Sequence, residues 1–234
     1  MIILLHGWNS TPSHRFRFPL IARRGHQAGF NVATLELPYQ FQRRPRRPEG
    51  LSGSYYLRLA ERTGQAVAEI RALTGWLLGE GCPAVALWGS SYGGWLAGLT
   101  ACHDARLAAV VMAVPGVRSN LTRAGRVIWR RSREMMERQH SALELLDLTS
   151  LNLTTSQPII PKESILLVEA IHDLFATNEP IEELWRVWGQ PEIWRLPHGH
   201  FTFGLIGPPC LVARRVLRWL EPRLNKAATR TQSE

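Results

Sequence analysis

A serine can attack a carbonyl only if its hydroxyl stands clear of the backbone, with a base on one side and room for substrate on the other. The segment Gly89-Ser90-Ser91-Tyr92-Gly93 meets that demand at Ser91. It follows the apolar run Ala84-Val85-Ala86-Leu87-Trp88 and precedes Gly94-Trp95-Leu96-Ala97-Gly98-Leu99. The stretch therefore reads as strand, sharp turn and helix with the serine at the tip, the context a nucleophile elbow requires. Gly89 and Gly93 stand two residues before and after Ser91, where side chains would collide as strand and helix close on each other. The bare G-x-S-x-G pattern is weak, and a turn serine is its bland reading. The strand and helix flanks give the pattern its weight. Ser90 is in the wrong register for the same role.

The elbow and its flanks resemble the α/β-hydrolase superfamily, and the resemblance runs over nearly the whole chain. Upstream, Met1-Ile2-Ile3-Leu4-Leu5-His6-Gly7-Trp8 is similar to the family's strand ending in His-Gly-X. The resemblance implies an oxyanion hole made by the backbone amides of Trp8 and of Tyr92, the residue after the nucleophile. Downstream, the apolar run Ser164 to Ala170 leads into Ile171-His172-Asp173-Leu174-Phe175. The family carries its triad acid just beyond such a strand, which points to Asp173, although an aspartate there also suits a turn or helix cap. Glu169 falls inside the strand and Glu179 beyond the turn, so both are poorer candidates. The family's base belongs to the loop after Glu192-Ile193-Trp194-Arg195-Leu196, where Pro197-His198-Gly199-His200-Phe201 offers two histidines. His200, which follows the glycine, is preferred to His198, which follows the strand too closely to swing back. A His-x-His pair could hold a metal, but cysteine and carboxylate partners are not evident nearby, so no metal or cofactor is expected. The order Ser91, Asp173, His200 is the chain order this fold requires of a triad.

Such residues need a scaffold that gathers distant loops at one edge. Apolar strand runs alternate with helical stretches along the chain, the pattern of an α/β fold with a mostly parallel central sheet flanked by helices. Leu20 to Ala28 and Tyr55 to Leu78 read as helices, Asn31 to Leu37 as the strand between them, Leu107 to Val114 as a further strand, and Leu211 to Leu220 as a closing helix. From 118 to 162 the alternation stops, and Val127-Ile128-Trp129, Met135-Met136 and Leu143-Glu144-Leu145-Leu146 read as helices. That is where the family inserts a cap, which the resemblance places over the substrate pocket. His6, Trp129 and Met135 are expected to line it, with packing of the cap onto the body the equal alternative for Met135 and Met136. Many family members also carry strands ahead of the His-Gly-X strand. Here nothing precedes Met1, so the sheet is expected to be minimal at that edge or the chain shortened.

Composition suits one enzyme domain of 234 residues with 45% hydrophobic residues. Cys82, Cys102 and Cys210 are odd in number and irregularly spaced, which argues against a disulfide framework and for a reducing compartment. No signal peptide and no apolar run of membrane-spanning length is expected, so the cytoplasm is the default location. The net charge of +9 is carried almost wholly by arginine, since Lys162 and Lys226 are the only lysines. The run Arg43-Arg44-Pro45-Arg46-Arg47-Pro48 reads as a solvated loop, and with no recognised module or stacking platform beside it no nucleic-acid partner is expected. The polar stretch 225–234 reads as a frayed tail. The resemblance implies a serine hydrolase acting on a small-molecule carboxylic ester. An amidase, a thioesterase or an acyltransferase could use the same triad, and an inactive ligand-binding relative is the alternative from another class.

Overall fold

The computed structural model describes residues 1–8, 17–44, 55–117, 149–200, 202 and 209–231. Six strands form its sheet: β1 (Ile2–Leu5), β2 (Val32–Leu35), β3 (Val85–Ser90), β4 (Leu107–Ala113), β5 (Ile165–Ala170) and β6 (Glu192–Leu196). Among the described residues five α-helices accompany them: α1 (Phe18–Gln27), α2 (Tyr55–Gly79), α3 (Tyr92–Ala101), α4 (Asn178–Val187) and α5 (Pro209–Thr231). Every strand pair is parallel, in the order β2-β1-β3-β4-β5-β6.

The central strands read as unbroken apolar runs because both of their faces are covered. Successive side chains point to opposite faces, so Ile3, Leu5, Leu87 and Leu167 join the core beneath α2, α3 and α4, with Ile70, Leu96 and Leu184. Ile2, Leu4, Ala86 and Val168 join the other core, beneath α1 and α5, with Ile21, Val216 and Leu220. Helix α3 is buried at every residue, which explains its apolar, small-residue sequence. A proline opens α1, where a missing N–H is harmless.

The chain runs from β1 out to the edge strand β2 and then crosses back over β1 to β3. That reversal makes the carboxyl ends of β1 and β3 a topological switch point, the place where such sheets form a crevice. His6-Gly7-Trp8 and Ser91 are the residues that leave these two strands.

Helix α5 runs on to Thr231, through the part of the expected polar tail that precedes residue 232. Burial accounts for it, since Leu224 is only 4% exposed and Ala227 packs against the same core. The expected cap divides likewise. Residues 118–148, with Trp129 and Met135, lie outside the described residues, while 149–164 forms short 3-10 turns whose Leu151 and Leu153 are buried in the body. In the arginine run, Arg43 is more than solvated surface. Its guanidinium pairs with both oxygens of Glu69 on α2, at 2.6 and 2.7 Å, and donates to the Glu36 carbonyl, so it ties the loop after β2 to that helix. Among the described residues no helix is long and apolar enough to cross a membrane.

Candidate active site

Ser91 sits at the turn between β3 and α3 with φ 54° and ψ −116°, a conformation that a side-chain-bearing residue rarely adopts. Its surroundings hold it there. The Ser91 amide donates to the Ala113 carbonyl at 2.8 Å, and its own carbonyl accepts from the amides of Trp95 at 3.0 Å and Gly116 at 3.4 Å. The two glycines are required by space. A Cβ at Gly89 would overlap the Gly93 carbonyl, and one at Gly93 would overlap the Leu5 carbonyl and lie 2.7 Å from that of His6. The first turn of α3 is thereby pressed onto the end of β1. Gly93→Ala should accordingly cost about 3 kcal/mol or more, because the atoms in the way are backbone and cannot rotate aside. Urea unfolding of the variant checks this, and a loss below about 1 kcal/mol would mean that the elbow is looser than described.

Three side chains from three loops converge at the turn. Ser91 Oγ lies 3.0 Å from His200 Nε2, and His200 Nδ1 lies 2.7 Å from Asp173 Oδ2. The Asp173 side chain is fully buried and that of His200 is 15% exposed. Asp173 is aimed by its other oxygen, because Oδ1 accepts the amides of Phe175 at 2.7 Å and Ala176 at 2.9 Å. The turn-forming habit of aspartate therefore serves to orient the carboxylate. On the neighbouring loop, Thr202 Oγ1 accepts the Gly199 amide at 2.8 Å and donates back to the Gly199 carbonyl at 3.3 Å. The aromatic ring of Phe175 lies 5.5 Å from the imidazole. Neither Thr202 nor Phe175 is among the residues expected at the site, and their nearness to His200 and Asp173 in sequence is the one signal of them.

Asp173 with an ionised carboxylate can only accept, so the proton between it and His200 rests on Nδ1 and leaves Nε2 free to accept from the Ser91 hydroxyl. That is the tautomer a general base needs. His198 contributes backbone: its carbonyl accepts the His172 amide at 3.0 Å, joining the segments that leave β5 and β6, and its amide donates to the Leu196 carbonyl at 2.8 Å in a tight local turn.

The Trp8 amide donates to no acceptor among the described residues. The Trp8 ring meets Tyr92 edge-on at 5.0 Å, and the Tyr92 hydroxyl lies 3.3 Å from Thr63 Oγ1. His6 is fully buried. Its Nε2 accepts the Leu37 amide at 3.0 Å, so the ring proton is on Nδ1, which donates to the Gly7 carbonyl at 2.8 Å. His6 thus ties the end of β1 to the loop after β2, with its ring 4.6 Å from Phe41. Among the described residues no cluster of three or more His, Cys, Asp or Glu side chains could hold a metal ion.

The profile of the alpha/beta hydrolase family matches residues 2–229. Two uncharacterized proteins from strains of Mycobacterium tuberculosis are 29% identical over 218 residues, a match covering 89% of this chain and 50% of theirs. The chain therefore spans about half the length of these relatives. Among solved structures, an esterase of Pyrococcus furiosus superposes with a TM-score of 0.65 at 15% identity, over 95% of this chain and 82% of that one. A monoacylglycerol lipase of Paleococcus ferrophilus superposes with a TM-score of 0.64, also at 15% identity, over 95% of this chain and 94% of that one. At such identity the likeness is one of fold.

Proposed function

Because the chain belongs to the alpha/beta hydrolase family, we propose that it is a serine hydrolase that cleaves carboxylic esters through Ser91, His200 and Asp173. The observation that carries this reading is the unbroken line from Ser91 Oγ to His200 at 3.0 Å and on to Asp173 at 2.7 Å. In the reaction His200 takes the Ser91 proton as the oxygen attacks the ester carbonyl, and Asp173 stabilises the imidazolium that forms. The amides of Trp8 and Tyr92 hold the oxyanion, a role that the closeness of α3 to the end of β1 supports. Collapse of the tetrahedral intermediate expels the alcohol, which takes the proton from His200. Water then attacks the acyl-enzyme by the same route in reverse. The esterase and lipase among the superposed structures favour an ester over an amide.

A fluorophosphonate probe followed by a panel of esters of graded acyl length tests the proposal. Covalent labelling together with turnover supports it, and absence of both would return the chain to the class of binding proteins built on this fold.

Asp173→Asn is expected to cut kcat by about 10⁴-fold while changing stability by only about 1 kcal/mol. The amide oxygen of Asn can keep the Phe175 and Ala176 amides, which turns its NH₂ toward His200 Nδ1. Two donors cannot face each other, so the imidazole must place its proton on Nε2, where it can no longer accept from Ser91. Steady-state kinetics and urea unfolding read the two effects separately. An unimpaired variant would move the acid to another residue.

A further inference from the structure

Alternation along β5 sends Ile165, Leu167 and Glu169 to the same face, and the first two lie in the apolar core beneath α4. Glu169 is thus a carboxyl at a core position, 1% exposed. Across the parallel ladder it stands beside Arg195 of β6, whose Nε is 3.3 Å from Glu169 Oε2. That guanidinium is committed elsewhere. Its Nε and Nη2 both donate to Glu182 Oε1 on α4, at 2.8 and 2.6 Å, and it lies 5.2 Å over the ring of Trp185. Neither oxygen of Glu169 receives a hydrogen bond from a donor among the described residues. Two carboxyl groups therefore face one cation, and the buried one lacks a donor, an arrangement that is costly if both are ionised.

One proton resolves the imbalance. A proton taken from water onto Glu169 and offered to the Glu182 carboxylate removes one negative charge, supplies the missing hydrogen bond and leaves a neutral set of two carboxyls, one proton and one guanidinium. Burial, reinforced by the negative charge of Glu182 and opposed by Arg195, raises the Glu169 carboxyl above the ordinary glutamate range.

The placement of the three residues gives the cluster a role. Glu169 precedes the Asp173 loop on β5, Glu182 follows it on the next helix, and Arg195 on β6 precedes the loop that carries His200. We propose that Glu169, Glu182 and Arg195 form a proton-sharing clamp that holds the Asp173 loop against the His200 loop, which makes them positioning residues for the reaction. The role in catalysis rests on the triad reading above. The shared proton does not.

The sign of the linkage follows from the raised value. Native protein holds a proton on Glu169 that the unfolded chain has released, so the stabilisation it brings is complete below the unfolded glutamate value of about 4.3 and is lost as pH rises through the folded value. The test measures urea unfolding of the full chain between about pH 5 and pH 9 for wild type and Glu169→Gln. Gln mimics the protonated carboxyl and keeps a donor for Glu182. Over the interval in which native protein alone holds the proton, the wild-type folding constant should fall relative to the variant by about tenfold per pH unit. Parallel curves would overturn the shared proton.

Positioning is read from kinetics. Arg195→Met should lower kcat by up to about 100-fold with KM little changed, and Arg195→Lys should recover part of the loss. An Arg195→Met enzyme with wild-type kcat would overturn the clamp's role. If that variant does not fold, the unfolding comparison with Glu169→Gln still decides whether the proton is held. A failure of the triad would instead appear as turnover surviving in Ser91→Ala, which leaves the proton linkage untouched.

Discussion

Ser91→Ala should abolish ester turnover, with a loss on the order of 10⁵ to 10⁶ in kcat, and should abolish fluorophosphonate labelling, while the protein unfolds at nearly the same urea concentration as wild type. The side chain contributes one described hydrogen bond, to His200 Nε2 at 3.0 Å. The backbone bonds that build the turn, to Ala113, Trp95 and Gly116, do not involve the hydroxyl. Alanine meets the same backbone strain at φ 54° as serine does, so the fold has little reason to change. Ser90→Ala is the control: Ser90 closes β3 opposite Ala113, and its replacement should be mild. Labelling that persisted in Ser91→Ala would place the nucleophile at another residue.

The two histidines of the last loop should separate sharply. His200→Ala removes the group that bridges Ser91 and Asp173, and a rate loss of at least several hundredfold is expected, within the range of about 10²–10⁴ that general-base catalysis supplies. His198→Ala should cost only a few fold, because the bonds that His198 makes to His172 and Leu196 are backbone bonds that alanine keeps. In the proposed mechanism Ser91 and His200 act as one unit, so adding His200→Ala to Ser91→Ala should lower the residual rate little further. Measured kcat for the two single variants and the double variant checks both points. A more damaging His198→Ala would assign the base to the other histidine.

Much of this molecule is local in origin and could be read residue by residue. Buried parallel strands announce themselves as apolar runs because both faces are covered, as in Ile2–Leu5 and Ile165–Ala170. The long α2 was expected over Tyr55 to Leu78 and spans Tyr55–Gly79. Strand β2 is shorter than the run 31–37 suggests, because the Leu37 amide leaves the sheet to bond His6. The closing helix exceeds the expected Leu211 to Leu220, since Leu224 and Ala227 continue its buried stripe past Pro222. That stripe is diluted by polar residues, and composition alone made the stretch look like a tail.

By itself the sequence determined the alternation of strands and helices, the glycine-flanked turn at Ser91, and the order in which serine, acid and histidine follow one another. Each of these depends on periodicity or on turn chemistry within a few neighbouring residues. Only the tertiary structure decided which histidine reaches the serine, since Ser91 and His200 are 109 residues apart and meet through the register of β3, β4, β5 and β6. It also decided that Asp173 meets His200, and that Glu169 shares its surroundings with Glu182 and Arg195. Hydrogen bonds and charge pairing fall off within a few ångströms, so their partners are set by packing between elements and leave no pattern along the chain.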